Sequence, residues 1–175
     1  MAKYRKMLSN WDAPYIQSLI GLIETQSKET LIRWSADYAE TRLLPIYEAR
    51  FPHDPRPREA ITAARRWLGK EIKLPAAKPA ILACHEAARE ADSDPTAQAA
   101  ARAIGQSAST IHAPTHVAGL ALYGALAVAY DALGIDTPWA TLEQAAAMEC
   151  AQMETALRAI AVENEPHPAK LNWRC

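Results

Sequence analysis

The chain has 175 residues, half of them hydrophobic, and a formal net charge of −1 from 19 basic and 20 acidic side chains. That length suits one core, and the balanced charge lacks the basic excess with which nucleic-acid binders neutralise phosphates, so nucleic acid is not an expected partner. Alanine dominates the apolar half against a single phenylalanine, which favours helices, because alanine is the best helix former and a poor strand residue.

Met1 to Asp12 carries basic residues with no apolar stretch behind them, so no signal peptide is read there. Asp12-Ala13-Pro14 opens a helix to about Gln26, with Ile16, Leu19, Ile20 and Ile23 at helical spacing. Ser27 is a cap for the next helix, with Glu29 in its first turn and Leu31, Trp34 and Tyr38 on one stripe. Pro45 should bend or stop that helix, since its ring clashes with the preceding turn, and a further turn reaches Arg50. Phe51 to Pro57 holds three prolines in seven residues and reads as a loop. Pro57 fits the first turn of a helix that runs to about Leu68, with Gly69 as its C-cap. Another helix spans about Pro75 to Ala91. Asp94-Pro95 is a cap followed by proline at the first helical position, and the helix it opens should break at Pro114. The next segment ends at Gly134, Thr137-Pro138 repeats the cap signal, and a last helix runs from Trp139 to about Glu163. Glu165 to Pro168 forces an extended tail, in which Trp173 either docks on the domain or contacts a partner.

These signals predict a single all-α domain over residues 1–175, with seven or eight helices, no strands and an extended tail over 165–175. Val117 to Tyr130 is an uncharged apolar run of 14 residues, too short to span a bilayer, so no membrane is expected. A helix without a polar face is normally surrounded by others, which makes 117–133 the expected central helix. Cys84, Cys150 and Cys175 are odd in number and widely spaced, so neither a disulfide framework nor a zinc ribbon is indicated. Buried small hydrophobes are the plain reading of the first two, and a cytoplasmic location is expected. The six glycines are scattered and form no phosphate-binding loop, so no nucleotide or other cofactor is expected.

Polar residues on apolar stripes carry the remaining information. Arg65 lies four residues after Ile61, and Arg58 three before it, so both lean toward the buried face marked by Ile61, Ala64 and Leu68. A guanidinium there needs a carboxylate, since an unpaired buried charge is very costly. Asp37 is the first candidate partner and Asp54 the second. His112 and His116 are four apart, but Pro114 between them breaks the turn that a two-histidine metal site needs, and no acidic residue lies within ten positions, so no metal is expected. His85 and Arg89, flanked by Glu86 and Glu90, read as a charge lattice on a helix surface. Ser107, Ser109 and Thr110 precede His112 without a nucleophile elbow, and read as polar helix residues near a kink.

The order of short motifs resembles a known family. It runs from Arg33-Trp34-Ser35-Ala36-Asp37-Tyr38-Ala39-Glu40 through Leu44-Pro45, Asp54-Pro55-Arg56-Pro57-Arg58-Glu59-Ala60-Ile61 and Ala63-Ala64-Arg65-Arg66-Trp67. His85-Glu86-Ala87-Ala88-Arg89-Glu90-Ala91, Ala101-Arg102-Ala103-Ile104-Gly105-Gln106 and the His112, His116 pair follow. Over about residues 30–135 this resembles the immunity-protein-five-like family of bacterial all-helical proteins. The resemblance implies a protein that binds and neutralises a cognate protein toxin without catalysis. Its polar motif positions fall on Arg33, Asp37, Asp54, Arg56, Arg58, Arg65, His85, Arg102, His112 and His116. The competing reading is a small helical enzyme or ligand binder with Asp37, Arg58, Arg65 and His112 lining one pocket. A third is a helical scaffold that forms homo-oligomers through its apolar surface.

Overall fold

The computed structural model describes residues 4–173. It is all-helical and holds no strand among those residues. The segments are α1 (Pro14–Ile23), α2 (Lys28–Tyr38), α3 (Leu44–Arg50), α4 (Arg56–Leu68), α5 (Leu74–Glu90), α6 (Pro95–Ser109), α7 (Ala125–Leu133) and α8 (Trp139–Arg158). Cys175 lies outside the described residues.

Local chemistry sets most of the boundaries. The Ser27 hydroxyl accepts the Thr30 amide at 3.2 Å, and the Asp94 carboxylate accepts that of Ala97 at 3.0 Å, each satisfying an orphan donor at a helix start. Gly134 closes α7 with φ of 85°, a left-handed conformation that glycine adopts without penalty. Gly69, by contrast, keeps a helical φ of −72°, and the left-handed residue after α4 is Lys70 at 61°.

Pro45 neither stops nor breaks its helix. A wide π turn over Ala39–Leu43 joins α2 to α3 without a gap, and the Leu44 amide reaches back five residues to the Ala39 carbonyl. That shift of register makes room for the proline ring, so residues 28–50 form one bent rod. Counted that way, the eight segments make seven helices.

Two further boundaries are set from outside the helices concerned. The Thr137 hydroxyl donates backward to the Leu133 carbonyl at 2.7 Å instead of capping α8. α8 ends at Arg158 rather than near Glu163, because the Gln26 side chain seizes the chain beyond it. Gln26 Oε1 accepts the Val162 amide at 2.7 Å, and Nε2 donates to the Val162 carbonyl at 3.2 Å. The tail then returns over the start of the chain. The Ala169 amide bonds the Gln26 carbonyl at 2.8 Å, the Trp173 indole donates to Glu24 at 2.7 Å, and its ring lies 5.3 Å from that of Trp11. Trp173 is therefore docked on the bundle.

The hub of the bundle is α6, which corrects the expectation for 117–133. Twelve of the fifteen residues of α6 are buried, and α2 to α5, α7 and the turns before α7 all pack against it. Its alanines let neighbours approach on every side. The 117–133 segment instead takes one flank, with Leu122, Tyr123 and Val128 only partly covered and Asp131 to Leu133 exposed. Pro114–Leu133 as a whole is long and apolar enough to cross a membrane by length and composition, yet most of it is buried in the helical pile.

α1 pairs with α8. Ile16, Leu19, Ile20 and Ile23 face the stripe of Leu142, Ala146, Cys150, Met153 and Leu157. Ser18 donates to Glu154 at 2.7 Å, and the Trp34 indole on α2 donates to the Met153 carbonyl at 3.0 Å. Cys84 and Cys150 are buried free thiols, and burial pushes both up to about 12. They are inert core residues in this setting.

Candidate functional site

The ten polar positions separate into two clusters and one outlier. The first cluster lies where α2, α3 and α4 meet. Arg65 bridges Asp37 at 2.7 Å and also pairs with Glu40, while Arg58 forks onto both oxygens of Glu48 at 2.8 Å. Asp37 is thus the partner expected for Arg65. Arg58 does not lean into the core: at the first turn of α4 its face opens to solvent, and its side chain is 54% exposed.

Asp54 heads a tighter group beside them. It accepts the Tyr47 hydroxyl at 2.6 Å, the Arg56 amide at 3.1 Å and two guanidinium nitrogens of Arg56 at 2.8 Å. Those Arg56 bonds, opposed by burial and helped by Tyr47, pull the Asp54 carboxyl down from 3.8 to about 2. Arg56 continues to Glu90 on α5 at 2.6 Å. This bridge ties the proline-rich loop to α5 beside a cleft of about 580 Å³ lined by Tyr47, Phe51, His53 and Ala87.

Arg33 is the outlier, exposed and without an ion pair or hydrogen bond among the described residues. Arg42, Arg50, Arg56, Arg58, Arg65, Arg66 and Arg158, by contrast, each hold a carboxylate.

The second cluster lies across α5, the end of α6 and the turn that follows it. His85 Nε2 sits 3.1 Å from Ser109 Oγ. The Ser109 hydroxyl is already spent on the Gly105 carbonyl at 2.7 Å, so His85 must donate, which fixes its Nε2–H tautomer. His85 therefore cannot act as a base toward Ser109, and the serine is not poised as a nucleophile. Ser107 and Thr110 likewise donate to carbonyls one turn back. His116 Nδ1 lies 2.8 Å from the Gln106 side-chain oxygen and donates to it, leaving its Nε2 with a free lone pair. His112 is exposed at the rim, and His116 does not stack with it in a helical turn because Pro114 starts a tight 3₁₀ turn between them. Among the described residues, no three of His, Cys, Asp and Glu come together as a metal-ion set.

Two glycines make this cluster. A Cβ on Gly105 would stand 2.8 Å from Cε1 and Nδ1 of His85, so the imidazole lies directly on the α6 backbone. A Cβ on Gly119 would stand 2.5 Å from Cβ and Cγ of Gln106. The single pocket shared by Asp37, Arg58, Arg65 and His112 is not the arrangement found, because the first three sit in one cluster and His112 in the other.

The titrating groups predict how the fold responds to acid. Burial, then the cationic neighbours His116, Arg89 and Arg102, hold His85 below 6.5, and burial followed by His112 does the same for His116. The unfolded chain then binds these protons more readily than the native one, so stability is lost as pH falls below about 6.5 and levels off once both rings are charged. Asp54 acts in a separate window: its contribution is present above about 4 and is lost toward about 2. Urea midpoints measured from pH 7.5 to 2.5 should therefore fall in two stages, with His85→Gln flattening only the first. A single drop confined to below pH 4 would contradict this.

The pattern of the Imm-5 like putative immunity protein family matches residues 21–156. The chain belongs to that family. Comparison with curated proteins and with solved structures finds no match. The family match is wider than the 30–135 read from the motifs: it takes in the last three residues of α1 and nearly all of α8. Both clusters of this immunity-family protein fall inside it.

That wider span includes an ionic centre the motifs did not reveal. Glu149 on α8 is buried, accepts the Tyr38 hydroxyl, and is forked by Arg42 at 2.9 and 3.2 Å. The signal was available, since Glu149 falls three residues after Ala146 and four before Met153 on the apolar stripe of α8.

Proposed function

We propose that this Imm-5 like protein binds a cognate bacterial protein toxin in the cytosol and neutralises it by occupying it, without catalysis. The observation that carries the reading is the family match over most of the chain. The cluster at α2, α3 and α4 gives it a physical form. Asp37, Arg65, Arg58 and Glu48 are held in place by one another, yet their side chains stay between 32% and 54% exposed. Side chains already fixed lose little freedom on association, and an ordered pattern of both charge signs selects a partner and speeds its encounter. The toxin-binding face is therefore assigned to this ridge, with Arg33 on the same α2 helix as a free cation.

The test is co-expression with the toxin encoded beside it. Growth rescue and a stoichiometric complex are expected, and Glu48→Arg should slow association most strongly at low salt. A chain that neither rescues growth nor forms a complex with that toxin would sink the proposal.

A further inference from the structure

The outward face of α8 carries no charge from Thr141 to Thr155. Met148 stands at the middle of the helix and is 73% exposed, more than any other large hydrophobic side chain among the described residues. The charged groups of α8 are turned aside. Glu143 accepts the Tyr15 hydroxyl at 3.3 Å, Glu149 is buried against Arg42, and Glu154 accepts from Ser18 and from Arg158 at the rim.

This face reads the same in both directions from Met148. Ala145 and Ala151 lie three residues to either side of it, Gln144 and Gln152 four, and Thr141 and Thr155 seven. Offsets of three, four and seven return a helix to the same face, so these residues form one strip centred on Met148. All of them but Ala145 are exposed.

Two copies laid antiparallel about a two-fold axis at Met148 bring each residue level with the one at the opposite offset, and here that residue is chemically the same. The carboxamides of Gln144 and Gln152, unpartnered among the described residues, each hold donors and an acceptor and can exchange hydrogen bonds. The Thr155 hydroxyl donates to the Ala151 carbonyl at 2.9 Å, which leaves its oxygen to accept from the Thr141 hydroxyl of the other copy. The alanines let the helices close in, and the two flexible Met148 thioethers fill the middle. No charge meets its own image, and the C-terminal end of each helix lies beside the N-terminal end of the other. A foreign partner has no use for such symmetry, whereas an isologous contact requires one patch to match itself.

We propose that this chain pairs with a second copy of itself through α8, antiparallel and centred on Met148. At about 1.5 Å per residue the helix is about 30 Å long, and about 10 Å across, so the footprint is about 300 Å² per copy. That is well under the roughly 800 Å² each partner gives to a standard interface, so the dimer is weak and exchanging. It uses none of the ridge residues assigned to the toxin and does not depend on that assignment.

Sedimentation of the purified full chain from about 5 µM to about 500 µM should show the mass rising toward that of a dimer. Met148→Glu sets two like charges at the axis and should weaken association at least tenfold, while the exposed site leaves the melting temperature unchanged. Gln144→Lys combined with Gln152→Glu sets opposite charges face to face twice in an antiparallel pair. That variant should associate about tenfold more tightly than the parent at low salt and lose the gain at high salt, whereas a parallel pair would be weakened. A monomer over the whole range, a dimer indifferent to Met148→Glu, or a weakened Lys/Glu variant would each overturn the proposal. So would a Met148→Glu chain that loses only its toxin complex, since the face would then belong to the toxin.

Discussion

Replacing Gly119 with alanine is expected to destabilise the fold, by up to about 2 kcal/mol, although alanine is the better helix former. The new methyl would stand 2.5 Å from both Cβ and Cγ of Gln106. These atoms are the root of the side chain on the hub helix, so rotating the far end of Gln106 cannot relieve the clash. Either the 114–124 turns or α6 must move. Overpacking of this kind costs about 1–3 kcal/mol and occasionally more, and the gain in helix propensity returns about 1 kcal/mol. Gly21→Ala is the control: nothing lies within 4 Å of its Cβ position on the exposed face of α1, so the propensity gain should stand alone and raise stability by about 0.5–1 kcal/mol. Urea denaturation of the two variants reads the difference. Equal effects would show that the contact between Gln106 and Gly119 is not tight. Gly119→Ala should also displace the Gln106 oxygen that orients His116, so the His116 ring resonances should move with the stability.

Arg42→Ala is expected to cost about 3 kcal/mol, several times more than Glu149→Gln. The reason is an asymmetry of burial. Arg42 is half exposed and can return to water, whereas the Glu149 side chain is only 6% exposed. Removing the arginine leaves a buried carboxylate with the Tyr38 hydroxyl as its remaining partner, and stranding one member of a buried pair typically costs about 3–5 kcal/mol. The half-exposed arginine brings the figure to the lower end. Glu149→Gln keeps the shape and an acceptor for Tyr38, so it should cost about 1 kcal/mol. A double-mutant cycle on the two residues isolates their coupling. If both single variants cost the same, the carboxylate is not stranded and the account of this centre fails.

Much of the fold was legible wherever a boundary is made by neighbours in sequence. Ser27, Asp94-Pro95 and Gly134 act within one helical turn, so their chemistry reads directly from residue type. Thr137, Pro45 and the end of α8 misled because the deciding atoms lie elsewhere: the Leu133 carbonyl, the widened turn before Leu44, and the Gln26 side chain. The hub was misplaced because uniform apolarity along 117–130 was read as enclosure. Enclosure in fact followed from the small side chains of α6, among which Gln98, Ser107 and Ser109 find backbone partners.

The clusters divide in the same way. Helical phase was enough to pair Arg65 with Asp37, since both lie at the edge of buried stripes. It misplaced Arg58, because phase does not say where along a helix the covering elements end. It gave no sign that Arg56 would reach Glu90 on α5, or that His85 would meet Ser109 instead of His112 doing so. The first depends on how α4 lies on α5, and the second on how α5 lies on α6, which Gly105 permits and no local pattern announces.

The pairing of the first helix with the last sets a condition on synthesis. The apolar stripe of α1 leaves the ribosome before its partner on α8, which is more than a hundred residues behind it in the chain. Until α8 emerges, Ile16, Leu19, Ile20 and Ile23 have no native surface to cover them, and the anchors on Val162 and Trp173 come later still. Closure of so distant a contact is slow, and the waiting stripe is a site for unwanted association. A cell making this protein must therefore shield the α1 stripe until α8 has been synthesised.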